Sequence, residues 1–155
     1  MRTKQIILNQ MELTLPAKSV NEGIARALVG GFLSQMDPTV DDLSDLKCAV
    51  SEAVTNAVVH GYRREGEDAG REGDLIRLTV SILPERRVRV TVTDKGCGIG
   101  DVAQARTPLF TTDPAGERSG MGFSVMEAFM DAVTVESAPG RGTTVTMQKR
   151  IPHAE

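Results

Sequence analysis

The chain has 155 residues, 40% of them hydrophobic, which suits one buried core and is too short for two comfortable ones. A formal charge of −3 gives no basic field for phosphate backbones, and an aromatic content of 3% leaves few platforms for stacking bases, so direct nucleic acid binding is not expected. No apolar run approaches the ~20 residues of a membrane-spanning helix, and the start of the chain lacks the apolar stretch of a signal peptide. Cys48 and Cys97 share no metal-ligand or redox spacing. The expectation is a single domain over 1–155, cytoplasmic, with reduced thiols and no membrane contact.

Residues 6–15 alternate imperfectly and predict an opening strand with Leu8, Met11, Leu13 and Leu15 facing inward, ended by Pro16. Ser19 and Glu22 have capping-box spacing. Val20, Ile24, Ala27, Leu28, Phe32 and Leu33 then recur at helical intervals. After the break at Met36-Asp37-Pro38-Thr39, Asp41 or Asp42 is the expected cap of a second helix. That helix carries Leu43, Leu46, Val50, Val54, Ala57 and Val58 and stops at Gly61. Residues 63–73 are charged and glycine-rich and read as an exposed loop. Runs at 75–83 and 87–93, joined through Pro84-Glu85, predict an antiparallel hairpin. A glycine-rich turn at 94–100 and a polar segment at 106–120 lead to a helical period at 121–130. A second hairpin joins 133–137 to 143–149. This order predicts an α+β fold: a two-layer sandwich with a mixed, mostly antiparallel sheet and helices on one face.

Three segments carry candidate chemistry. Glu52, Asn56 and His60 are spaced to share one helical stripe, with Val50, Val54 and Val58 on the opposite one. A carboxylate, an amide and an imidazole in line suit Mg²⁺ and phosphate, because Mg²⁺ takes hard oxygen ligands. A solvated polar face would read the same way. Asp94, Gly96 and Gly98 follow a strand directly, and glycines there let a ligand approach the backbone. An acid at that position can accept a hydrogen bond from an exocyclic amine such as that of adenine, although Asp-x-Gly is also common in plain turns. Arg118, Ser119, Gly120, Met121 and Gly122 precede a helix whose N-terminal amides could meet phosphate oxygens; an ordinary loop fits them too. No Walker A motif occurs in the chain.

Taken in order, E-x-x-x-N, D-x-G-x-G and G-x-G-F resemble the ATP-binding domain shared by gyrase, the ninety-kilodalton heat-shock chaperone, histidine kinases and the mismatch-repair ATPase. Longer strings narrow the likeness: Ser51-Glu52-Ala53-Val54-Thr55-Asn56-Ala57, His60-Gly61-Tyr62, Pro108-Leu109-Phe110-Thr111-Thr112 and Glu117-Arg118-Ser119-Gly120-Met121-Gly122-Phe123. These resemble the sporulation anti-sigma F factor family over nearly the whole chain. The resemblance implies an ATP- and Mg²⁺-dependent serine kinase, a homodimer, that holds a sporulation sigma factor inactive and phosphorylates an anti-anti-sigma factor.

By the same resemblance, Glu52 is the base for the acceptor serine and Asn56 the Mg²⁺ ligand. Asp94 reads adenine, supported by Gly96, Gly98 and Thr143. Residues 106–119 form an ATP lid in which Arg118 meets the terminal phosphate. Thr111, Thr112, Ser119, Gly120, Met121 and Gly122 complete the nucleotide contacts, and Arg26 belongs to a partner-binding surface. The length leaves no room for the phosphoacceptor helices of a histidine kinase. An external hydroxyl is therefore the expected acceptor, and a carboxylate beside it answers the weak nucleophilicity of serine. The alternative is a non-catalytic module that uses ATP only to order a partner-binding surface.

Overall fold

The computed structural model describes residues 4–61, 73–99, 102 and 122–153. The elements run β1 (Asn9–Pro16), α1 (Val20–Leu33) with a 3₁₀ turn at Ser34–Met36, α2 (Val40–Asn56) continuing into a π-wound turn at Ala57–Gly61, β2 (Leu75–Leu83), β3 (Arg87–Asp94), α3 (Gly122–Phe129), β4 (Ala132–Ser137) and β5 (Thr143–Arg150). The strands lie in the order β1-β2-β3-β5-β4, and each neighbouring pair is antiparallel. The expected α+β arrangement is present. The charged loop expected at 63–73 and the polar segment at 106–120 lie almost entirely outside the described residues.

Successive side chains of a strand point to opposite faces, and here the two faces differ sharply in chemistry. Ile76, Leu78, Val80 and Ile82 of β2, with Val88, Val90 and Val92 of β3 and Val145 and Met147 of β5, are buried. They meet Leu33 of α1, Leu46, Val50 and Val54 of α2, and Phe123 and Met126 of α3 in one cluster. The other face carries threonines: Thr79 pairs with Thr91, Thr91 with Thr146, and Thr146 with Thr134 across four strands. β-branched residues suit such a pleated, half-covered surface.

Four local expectations are corrected. Val20, Ile24 and Leu28 are exposed by 71%, 44% and 44%, whereas Ala25, Val29 and Leu33 turn inward. Small residues on that inner stripe let α1 approach α2 closely; a Cβ on Gly30 would already lie 3.4 Å from the Lys47 side chain. Ser19 makes no side-chain cap, and α1 begins instead with a backbone bond from Glu22 N–H to Ser19 O. The cap of α2 is Thr39, whose Oγ1 accepts the Asp42 N–H at 3.1 Å while its hydroxyl donates to the Asp42 carboxylate. Leu8 is exposed, because alternation puts even positions of this strand on the face opposite Met11, Leu13 and Leu15; its N–H donates to Ile82 O just before β1 begins.

Leu46 is fully buried and Leu28 is not. Leu46→Ala is therefore expected to cost about 2–5 kcal/mol in urea unfolding, and Leu28→Ala no more than about 0.5 kcal/mol. Equal losses would contradict the assigned inner face of α1.

Candidate functional site

Glu52 and Asn56 stand one helical turn apart at the C-terminal end of α2, while Val50 and Val54 are buried on its far side. The amphipathic pattern thus fixes which way the acid and the amide point. The first residue of α3 closes on them: a Cβ built on Gly122 would lie 3.1 Å from both Asn56 Oδ1 and Nδ2 and 3.4 Å from Glu52 Oε2. Only a residue without a side chain leaves the pair this much room. The start of α3 also carries the positive end of the helix dipole, which favours an anion beside it. His60, expected on the same stripe, sits in the π-wound turn, where α-helical spacing no longer applies.

Asp94 ends β3 and is 6% exposed. Burial pushes its carboxyl pKa up, while backbone N–H groups of Gly96 and Thr143 pull it back. The Gly96 bond to Oδ1 measures 2.9 Å. Thr143 is the cross-strand partner of Asp94 on β5. The turn after Asp94 is keyed into the β4–β5 turn. Gly98 and Gly142 have φ of +75° and +79°, and a Cβ on either would fall 2.0 Å from Ala138 O or 2.2 Å from Asp94 O. Gly140 N–H donates to Cys97 O at 2.7 Å. Cys97 directs its thiol to His60 O at 3.2 Å and so ties this turn to the end of α2.

A cleft of about 670 Å³ opens between α1 and α2 and includes Arg26, Cys48, Ser51, Glu52 and Thr55 in its walls. Asp94, Gly98 and Thr143 are not part of it. Glu52 therefore borders two spaces, this cleft and the start of α3. Arg26 is held by Glu22 at 3.4 Å, four residues back on α1. The Cys48 thiol is pushed up by burial and by the carboxylates of Glu52 and Asp45, against Arg26, and stays protonated in neutral solution.

The structure thus brings Glu52, Asn56 and Gly122 together in one place and Asp94, Gly96, Gly98 and Thr143 in an adjoining one. Arg26 stands apart from both, sharing only the cleft with Glu52. Thr111, Thr112, Arg118, Ser119, Gly120 and Met121 lie outside the described residues. Sequence reasoning missed Ser137, whose hydroxyl bonds Ile99, Gly142 and Thr143 at once. A serine closing a strand before a Pro-Gly turn was the available signal.

Residues 15–149 match the histidine kinase-like ATPase domain. Over 143 residues the chain is 52% identical to the anti-sigma F factor of Pasteuria penetrans, covering 92% of this chain and 91% of that protein. It is 48% identical to the anti-sigma F factor of Geobacillus kaustophilus (strain HTA426), covering 92% and 93%. The chain belongs to the anti-sigma F factor family of histidine kinase-like ATPase domains. In fold it is similar to the crystal structure of the RsbU and RsbW domains of a Mycobacterium tuberculosis protein, with a TM-score of 0.65 at 23% identity, over 94% of this chain and 34% of that one. A structure of full-length ShkA in complex with AMPPNP gives a TM-score of 0.56 at 21% identity, over 91% and 32%. No helix among the described residues is long and apolar enough to cross a membrane.

Because burial raises the Asp94 pKa above 3.8, the folded state binds that proton more tightly than the unfolded chain does. Stability is therefore lost as pH rises from the ordinary carboxylate range through the folded pKa. Asp94→Asn is expected to raise the melting temperature of the nucleotide-free protein at neutral pH, with the gain shrinking towards pH 4. Thermal melts across that range check it, and a lowered melting temperature at neutral pH contradicts it.

Proposed function

We propose that the protein binds ATP with Mg²⁺ across the two adjoining groups and transfers the γ-phosphoryl group to a serine of an anti-anti-sigma factor. In its ATP-bound form it holds a sporulation sigma factor inactive. The observation that carries this reading is the convergence of Glu52 and Asn56 on Gly122 at the start of α3. The family likeness over nine-tenths of the chain supports the choice of partners. The homodimer and the cytoplasmic setting rest on that likeness alone.

In this reading Asp94 accepts from the adenine amine, with Gly96, Gly98 and Thr143 shaping the base end. Gly122 lets the triphosphate pass close to α3, and Thr111, Thr112, Ser119, Gly120 and Met121 are the further nucleotide contacts. Arg118 meets the terminal phosphate. Asn56 offers one amide oxygen for Mg²⁺. Among the described residues no group of three or more His, Cys, Asp or Glu could hold a metal. A single protein oxygen completed by phosphates and waters is a donor set Mg²⁺ accepts. When bound, the ion neutralises phosphate charge.

Glu52 faces both this site and the α1–α2 cleft, so an acceptor serine arriving from the cleft side meets its carboxylate. The serine proton passes to Glu52, the serine oxygen bonds the γ-phosphorus, and the bond from that phosphorus to the bridging oxygen breaks to leave ADP. Arg26, on the far wall of the same cleft, is the residue assigned in this proposal to meet the partner.

Purified protein with labelled ATP, Mg²⁺ and the candidate acceptor protein tests the reading. Glu52→Ala is expected to keep ATP and sigma-factor binding and to lose phosphotransfer by about a hundredfold or more. A normal rate removes Glu52 from the base role, and absence of transfer by the unaltered protein favours a module that binds without catalysis. Asp94→Asn is expected to weaken ATP by about 1.5–3 kcal/mol in calorimetry. Unchanged affinity removes Asp94 from the site.

A further inference from the structure

Ser137 is the last residue of β4, and its hydroxyl lies at the centre of the contact between the Asp94 turn and the β4–β5 turn. Ile99 N–H donates to Ser137 Oγ at 2.7 Å. Ser137 Oγ lies 2.9 Å from Gly142 O and 2.8 Å from Thr143 Oγ1. A serine hydroxyl has one proton and two acceptor lone pairs, whereas a carbonyl can only accept. The single proton of Ser137 therefore goes to Gly142 O. The contact with Thr143 is then made with Thr143 as donor, and Ser137 accepts from both Thr143 and Ile99.

This arrangement has a consequence at the base end of the site. With its proton committed to Ser137, Thr143 presents its oxygen to a ligand as an acceptor only. Its cross-strand partner Asp94 is an acceptor as well when ionised. Two acceptors side by side favour an amino group on the base and disfavour a keto oxygen in the same place. A site built to hydrogen-bond one group rejects an analogue that leaves its polar atoms unpaired or opposed.

We propose that Ser137 is a specificity-setting positioning residue: it fixes the proton of Thr143 so that the pocket accepts 6-amino purine nucleotides and rejects 6-oxo ones. The inference rests on the reading of Asp94 and Thr143 as the base-binding end. Ser137 acts through Thr143 and needs no contact with the nucleotide. Without the Ser137 oxygen the Thr143 hydroxyl is free to rotate and donate, which suits a keto oxygen.

The test is calorimetric binding of ATP and GTP to the full chain and its variants. Ser137→Ala is expected to weaken ATP by about tenfold, the equivalent of one net hydrogen bond, while GTP changes by less than about twofold, so discrimination narrows. Ser137→Thr, which keeps the hydroxyl, is expected to retain both values. Thr143→Val removes the same hydroxyl from the other side and is expected to reproduce the ATP loss. The double variant should lose no more than either single one, since both act on one contact. Equal weakening of ATP and GTP by Ser137→Ala would show a merely structural role and overturn the proposal, as would unchanged ATP affinity in both Ser137→Ala and Thr143→Val. Asp94→Asn in the same series separates the two readings. If it weakens ATP while Ser137→Ala does not, the positioning role fails and the site stands; if it has no effect, the site itself fails.

Discussion

A carboxylate taken out of water at the end of a strand is unfavourable unless N–H groups replace the lost solvent. Asp94 is such a group, and its N–H donors come from Gly96 in the following turn and Thr143 on the neighbouring strand. Both donors depend on close backbone approach. Gly98 and Gly142 occupy positions where any side chain would run into the Ala138 or Asp94 carbonyl, at positive φ that glycine alone adopts freely. The sheet order matters for the same reason: because β5 lies between β3 and β4, the β4–β5 turn falls beside the end of β3. A simple meander in chain order would place β4 there instead, and Thr143 would be out of reach.

Helix α2 supplies the other half of the site by separating two duties around its axis. Leu46, Val50 and Val54 anchor it on the sheet, and Glu52 and Asn56 are thereby aimed at the first residue of α3. A rigid element holds catalytic groups more accurately than a loop does. The π-wound turn that follows brings the His60 carbonyl to the Cys97 thiol and so couples the helix end to the Asp94 turn. Under the proposed function, the cleft on the other side of Glu52 would give a protein acceptor an approach that does not cross the base end of the site.

Much of this was legible from residue spacing. The eight-element order, the two hairpins and the inward face of α2 follow from periods of two and 3.6, because burial enforces them. Glu52 and Asn56 were legible because an α-helix keeps i and i+4 on one side. What was hidden depends on tertiary choice. Helix α1 carries two adjacent apolar stripes, and only packing against α2 selects the one with Ala25 and Val29 over the one with Ile24 and Leu28. Thr39 lost to Asp41 and Asp42 as the expected cap because all three are good capping residues and backbone geometry decides among them. Ser137 was marked only by its place before a Pro-Gly turn, because the hairpin brings Gly142 to it but Ile99 reaches it only through the strand order.

The central proposal is one nucleotide spanning the end of β3 and the junction of α2 with α3. A crystal structure with Mg²⁺ and a non-hydrolysable ATP analogue measures this directly. The adenine amine should lie within hydrogen-bonding distance of the Asp94 carboxylate, with the terminal phosphates beside Asn56 and Gly122 and Glu52 free on the cleft side. A nucleotide seated in the α1–α2 cleft, or one whose base leaves Asp94 untouched, would contradict it.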